Sequence, residues 1–189
     1  MKTAAVVLAG GESQRLGELK QLVRLNDETL LERAIRVCRE AGCAPVVVVL
    51  GASADVVQER CALGDAVIAL NEEWAEGMGS SVRAGVRALG ADVDGCVIMT
   101  CDMPAVTREH LRALSLTGEV TASLYADRRG VPAYFPSSVF PRLTELQADM
   151  GARQLLKEAR TVELAGGELD IDTVADLERA RLMFGNSQT

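Results

Sequence analysis

The chain contains a single histidine, His110. A Ser-His-Asp hydrolase or a multi-histidine metal centre is therefore hard to build from it. His110 falls in the polar opening of a predicted helix, Arg108-Glu109-His110, and reads as an exposed helical residue. Positive charge is also scarce. Twenty Lys and Arg against 27 Asp and Glu leave a net charge of −7 and a pI of about 4.9. That balance argues against broad nucleic-acid or anionic-membrane binding. Any phosphate site must be local. No apolar run reaches the roughly 20 residues a membrane span needs. The opening Met1-Lys2-Thr3-Ala4 leads straight into a strand, without a signal-peptide apolar region. The expected location is the cytoplasm, with no nucleic-acid and no membrane partner. Disulfide pairing is not expected either. Cys38, Cys43, Cys61, Cys96 and Cys101 form an odd, scattered set whose two C-x4-C spacings match no common zinc pattern. They read as small, reduced, buried side chains.

What the chain does have is apolar content, 48% over 189 residues, enough for a sizeable core. No repeat, linker or low-complexity tract interrupts it, so 1–189 reads as one domain. The stretch around which the rest is organised is Val6-Val7-Leu8-Ala9-Gly10-Gly11-Glu12-Ser13-Gln14-Arg15-Leu16-Gly17-Glu18-Leu19-Lys20. An apolar strand ends in glycine, a polar loop follows, and a helical pattern starts soon after. Glycines let the backbone approach a ligand with its N–H groups turned inward. Arg15 and Lys20 add positive charge to the same space, which suits a polyphosphate. The P-loop pattern fails, because Gly17 is followed by Glu18 and Lys20 by Gln21. The dinucleotide spacing G-x-G-x-x-G fails too.

Further on, continuous apolar strands (3–8, 45–50, 66–70 and 96–100) alternate with helical patterns. The first helix follows a capping box at Thr29-Leu30-Leu31-Glu32. A second is capped by Ser53, a third covers 80–89, and a fourth is capped by Thr107. This alternation predicts an α/β fold with a three-layer, doubly wound and mostly parallel sheet. Ligands of such sheets bind beyond the carboxyl ends of the strands. Runs 119–125 and 131–135, joined by Asp127-Arg128-Arg129-Gly130, predict a hairpin added to the sheet antiparallel. A helix over 151–159, one or two short strands within 162–171, and a last helix capped at Thr173 complete the pattern.

Three segments carry candidate chemistry. Asp102-Met103-Pro104 places a carboxylate just past a strand end, where it suits a hard cation such as Mg²⁺ or simply caps a turn. Asp170-Ile171-Asp172-Thr173 offers further carboxylates, or an ordinary helix cap. Asn71 to Ser81, with Gly77-Met78-Gly79-Ser80-Ser81, opens a helix whose N–H groups and hydroxyls can hold a base or a phosphate.

Leu8-Ala9-Gly10-Gly11, then Arg15, Gly17 and Lys20, resembles the signature loop of nucleotidyltransferases. With Asn71, Trp74, Gly77-Met78, Ser81 and Gly85, Asp102-Met103-Pro104, Gly130, Pro132 and Phe135, Asp149, Gly151-Ala152-Arg153, Asp170-Ile171-Asp172-Thr173 and Asp176-Leu177, the chain from Val7 to Leu177 resembles the molybdenum cofactor nucleotidyltransferases, above all their cytidylyltransferase branch. The resemblance implies a nucleotide-diphospho-sugar-transferase-like (GT-A-like) fold. It also implies Mg²⁺-dependent transfer of CMP from CTP to the terminal phosphate of molybdenum-loaded molybdopterin, with release of pyrophosphate.

Carried onto this chain, Lys20, Arg15 and Asp102 are the catalytic set. Leu8, Ala9, Gly10, Gly11, Lys20, Gly77, Met78, Ser81 and Asp102 bind nucleotide. Asp102 holds metal with Asp172 or Asp170. Gly130, Pro132, Asp149, Gly151 and Arg153 face the acceptor. A recipient molybdoenzyme or its chaperone is an implied partner. The double glycine Gly10-Gly11 matches the GTP-using guanylyltransferase branch, whereas the loop length and Gly77-Met78 favour CTP. Val131, Ala148 and Cys101 depart from the family pattern, and a thiol beside Asp102 could meet the soft metal of the acceptor. A sugar-1-phosphate nucleotidyltransferase and a non-catalytic nucleotide-binding regulator are the rival readings.

Overall fold

The structure, a computed structural model, describes residues 1–11, 16–146 and 153–184. Its elements run β1 (Thr3–Ala9), β2 (Arg24–Leu25), β3 (Glu28–Thr29), α1 (Leu30–Ala41), β4 (Val46–Leu50), α2 (Ala54–Arg60), β5 (Val67–Leu70), α3 (Met78–Arg87), β6 (Gly95–Thr100), α4 (Arg108–Ser115), β7 (Thr121–Tyr125), β8 (Arg128–Pro136), α5 (Phe140–Thr144), α6 (Arg153–Leu156), β9 (Arg160–Glu163) and α7 (Val174–Phe184).

Seven strands form one sheet in the order β5-β4-β1-β6-β8-β7-β9. The first four in that order run parallel. β8 is antiparallel to both neighbours, β6 and β7, and β9 is parallel to β7. Continuous apolar runs make such strands because helices cover both faces. β1 shows the period of two. Ala5, Val7 and Ala9 pack with residues of α1 and α4, while Ala4, Val6 and Leu8 pack with residues of α3 and α5. Among the described residues no helix is long and apolar enough to cross a membrane.

The helix α1 starts on the predicted capping box. The Thr29 hydroxyl accepts from Glu32 N–H, and the Glu32 carboxylate accepts from Thr29 N–H. Gly42 ends the helix in the left-handed region, at φ 91°. On the other face α3 lies close against the sheet at Gly85. A methyl group there would overlap Val6 and stand 2.9 Å from Val49 Cγ2. Gly85→Ala gains roughly 1 kcal/mol of helix propensity. Overpacking against two fully buried valines costs about 1–3 kcal/mol, so the clash wins. The expected result is a lower urea midpoint with an unchanged slope, and a higher midpoint would contradict this close packing.

The carboxyl-terminal segment docks through a third apolar cluster. Leu169, Ile171, Leu177 and Ala180 pack on Leu16, Val23, Leu25 and Leu30. Leu169 and Ile171 are buried, so the intervening Asp170 and Asp172 alternate outward from that cluster. The N-terminus of α7 closes as expected on Thr173, whose hydroxyl accepts from Asp176 N–H while the Asp176 carboxylate accepts from Thr173 N–H.

Several expectations are corrected. Ser53 precedes α2 without a side-chain cap bond. The β7–β8 turn lies at Ala126-Asp127, both at positive φ (47° and 56°), so Arg128, Arg129 and Gly130 belong to the strand. A turn residue that tolerates the left-handed region closes a two-residue hairpin better than the longer loop does. One short strand forms before the Gly166-Gly167 turn, within the expected one or two, but as β9 it begins at Arg160 rather than Val162. The helix expected over 151–159 covers Arg153–Leu156 within the described residues.

His110 is the clearest correction. It is buried rather than exposed. Ser123 Oγ donates to Pro132 O at 2.6 Å. The 2.7 Å pair between His110 Nε2 and Ser123 Oγ then has the imidazole as donor, which places a proton on Nε2. Burial lowers the His110 pKa. The unfolded chain therefore takes up this proton at higher pH than the folded one, and stability is lost as pH falls below about 6.5. Between about pH 7.5 and pH 5 the protein should lose more stability than His110→Gln does. Equal losses in chemical denaturation would contradict a buried neutral imidazole.

Candidate active site

The parallel strands β4, β1 and β6 end side by side, at Leu50, Ala9 and Thr100. Chain leaving those ends builds a cleft of about 250 Å³. Gly10 and Gly11 follow β1 and Asp102 follows β6. Gly51 follows β4, where a methyl group would stand 2.5 Å from Gly10 O and 2.8 Å from Trp74 Cβ. Only glycine lets these two strand ends approach so closely. From the sequence Gly51 reads merely as a strand stop. All nine residues expected around a nucleotide, Leu8, Ala9, Gly10, Gly11, Lys20, Gly77, Met78, Ser81 and Asp102, line the cleft. Trp74, Gln21, Thr100 and Cys101 line it as well.

One wall is the loop before α3. Asn71 is buried and donates to Ser80 Oγ at 2.8 Å and Ser81 Oγ at 3.0 Å. Its own carbonyl oxygen accepts from Glu73 N–H at 3.1 Å. Ser80 donates to Gly77 O, so Ser80 serves the loop while Ser81 reaches the cleft. Gly77, at φ 106°, turns the chain into α3 in a conformation other residues rarely adopt. Arg83 ties the loop down from outside, donating to Glu73 and Glu76 at 2.8 and 2.7 Å and to Leu146 O at 2.6 Å.

The opposite wall carries the charge. Lys20 Nζ donates to Asp102 Oδ2 at 2.8 Å and also to Asp172 Oδ1. Burial alone would lower the Lys20 pKa, but Asp102 and then Asp172 outweigh it and raise it. Lys20 is therefore a fixed cation. The other Asp102 oxygen, Oδ1, is buried and has no hydrogen-bond donor among the described residues.

Asp102 is held from both sides. Its carbonyl accepts from Ile171 N–H at 3.0 Å, which ties the 102 loop to the Asp170–Asp172 segment. The largely buried Arg33 on α1 donates to Pro104 O at 2.6 Å and Val106 O at 3.4 Å. Asp170 is open to solvent on one side, yet partial burial, then Asp102 and Asp172, push its pKa up to about 6. Burial and the charge of Asp170 likewise raise Tyr125, while Arg128 works the other way on both. Burial, then Asp102, raises Cys101, so it stays a thiol.

Among the described residues no three His, Cys, Asp or Glu side chains form a ready metal cage. The donor set nevertheless fits Mg²⁺. That ion takes one or two carboxylates plus substrate phosphates rather than an all-protein cage. An orphaned buried carboxylate oxygen at Asp102 is a hard donor of that kind.

Of the residues expected to face the acceptor, Gly130 and Pro132 sit on β8 outside the cleft lining. Gly130 lies against the Tyr125 ring, where any side chain would collide with the phenol. Arg15, Asp149 and Gly151 lie outside the described residues, as does the side chain of Arg153. Gln21, Gly51, Arg33 and Tyr125 escape a reading of the sequence. The signal for Gln21 is its place directly after Lys20.

The family described as "MobA-like NTP transferase domain" matches residues 5–163. The chain is 31% identical to the nicotine blue oxidoreductase of Paenarthrobacter nicotinovorans over 92% of this chain and 94% of that one. It is 26% identical to the molybdenum cofactor cytidylyltransferase of Escherichia coli over 93% and 94%. It superposes with a TM-score of 0.79 and 29% identity on Rv0371c of Mycobacterium tuberculosis, solved in complex with manganese, over 95% and 98%. The strand order, the cleft at the strand ends and these similarities lead to one conclusion: the chain belongs to the MobA-like NTP transferase family and is a nucleotidyltransferase.

Proposed function

We propose that the enzyme transfers CMP from CTP to the terminal phosphate of molybdenum-loaded molybdopterin, with Mg²⁺, in the cytoplasm. The observation that carries this reading is one cleft joining the glycine loop, the Gly77–Ser81 helix start and the Lys20–Asp102 pair, with Asp102 Oδ1 buried and undonated. Five unpaired, buried cysteines suit a reducing compartment. The similarity to the E. coli cytidylyltransferase supports the acceptor and the base.

In the reaction an oxygen of the acceptor's terminal phosphate attacks the α-phosphorus of CTP. The bond from that phosphorus to the α,β-bridging oxygen breaks, and pyrophosphate leaves with the electron pair. The attacking phosphate is already an anion, so no general base is required. The cleft lining indeed contains no imidazole, and His110 is buried beside Ser123. Backbone from Ala9 to Gly11 orients the triphosphate. Lys20, with Arg15, neutralises the β- and γ-phosphates and the departing pyrophosphate. Gly77, Met78 and Ser81 hold the nucleoside. Asp102, with Asp172 or Asp170, would hold Mg²⁺, which supplies Lewis-acid screening of the phosphate charges when bound. Gly130, Pro132, Asp149, Gly151 and Arg153 receive the acceptor, and the product passes to a molybdoenzyme or its chaperone. Most of the rate comes from positioning and charge.

The double glycine Gly10-Gly11 favours a second reading, with GTP as donor. Pyrophosphate release in the presence of Mg²⁺ and acceptor, measured with CTP and with GTP as separate sole donors, separates them. Faster release from CTP is the expected result, and preference for GTP would overturn the cytidylyl reading.

A further inference from the structure

Gln21 is a polar side chain only 3% exposed, next to the fixed cation Lys20 and in the same 3₁₀ turn, Lys20–Leu22. Its amide nitrogen donates to Ala9 O at 2.5 Å and to Gly11 O at 3.2 Å. The orientation of the amide follows from its partners, because an oxygen turned toward two carbonyls would repel both. Its Oε1 is buried with no donor among the described residues. A buried amide that satisfies only one end is unfavourable for folding alone. The end that is satisfied, on the carbonyls of Ala9 and Gly11, is therefore where its role lies.

We propose that Gln21 is a positioning residue of the nucleotide site, an amide clasp on the carbonyls of Ala9 and Gly11 that sets the course of the glycine loop across the cleft. The inference rests on the nucleotide-binding reading of that cleft. In a trans peptide the C=O and N–H point in opposite directions. Fixing Ala9 O against Gln21 therefore fixes the direction of Gly10 N–H. The clasp also joins the two halves of the site. It links the turn that carries Lys20 to the end of β1, so the cation and the loop backbone keep one spacing. Gly10 has no side chain to wedge it in place; a methyl group there would press on Gly51 N at 3.3 Å. The loop's orientation thus depends on what holds its carbonyls.

The sole tryptophan, Trp74, lines the same cleft and reports its occupancy. CTP and GTP are titrated with Mg²⁺ against the full chain, read by Trp74 fluorescence and checked by equilibrium dialysis. Gln21→Met keeps the shape and removes the donor. Gln21→Asn keeps the amide but is one methylene too short to span both carbonyls. Both variants should weaken binding of the preferred nucleotide about tenfold. In turnover they should raise its KM while leaving the acceptor KM unchanged, a split that general loosening of the fold does not produce. Affinity within about twofold of the unsubstituted protein in either folded variant would overturn the clasp alone. Failure of the unsubstituted protein to bind either nucleotide would overturn the proposed function and the clasp with it.

Discussion

Asp102→Asn should slow nucleotidyl transfer by roughly 10²–10³-fold and weaken divalent-cation binding, while the protein still folds. The substitution keeps the shape and removes the charge. Lys20 retains Asp172 as a partner, so the ammonium is not stranded. The loop stays anchored, because its other ties run through the backbone: Asp102 O to Ile171 N–H, and Pro104 O to Arg33. What disappears is the negative charge and the buried, undonated oxygen, the hard donor that a divalent cation would use. Mn²⁺ binding followed by electron paramagnetic resonance, beside steady-state transfer rates, checks both parts. Rates within about threefold of the unsubstituted enzyme would remove Asp102 from the chemistry.

Lys20→Met should cost a similar factor in rate, roughly 10²–10³, but with the opposite effect on the metal. Without the ammonium, Asp102 and Asp172 lose the cation they share. In the absence of nucleotide, Mn²⁺ should then bind more tightly than to the unsubstituted protein, because it meets two carboxylates that the Lys20 ammonium no longer competes for. Stability should fall by about 1–2 kcal/mol, a modest figure because Asp172 is 38% exposed and solvent screens that pair. The two variants thus separate the roles. Both lose transfer, one with weaker metal binding and the other with stronger. Weaker Mn²⁺ binding in Lys20→Met would show that the lysine helps to build the metal site rather than to balance it.

Local physics explains which parts of this site can be read from sequence. The strand, glycine loop and Lys20 are legible because β1 is uniformly apolar and ends abruptly in Gly10-Gly11. The start of α1 is legible because a capping box is written within four residues. Asp102 is legible as a carboxylate just past a strand end. His110 is not. Its helix turn looks polar, and its burial depends on Ser123 and Pro132, which arrive with the β7–β8 hairpin. Gln21 is hidden for a similar reason, since nothing in Lys20-Gln21-Leu22 says that the side chain reaches back to β1. The approach of Asp172 to Lys20 depends on the docking of α7, although the alternation Leu169-Asp170-Ile171-Asp172 is its signal. In each case the local pattern sets the element, and a contact made far along the chain sets the role of the side chain.

The mass of the product tests the cytidylyl transfer directly. The purified enzyme is incubated with Mg²⁺, CTP and molybdenum-loaded molybdopterin, and the acceptor is recovered. The expected product is an acceptor heavier by one cytidylyl group, with one pyrophosphate released for each acceptor converted and none released when the acceptor is omitted. An unmodified acceptor, recovered from protein shown to bind CTP, would contradict it.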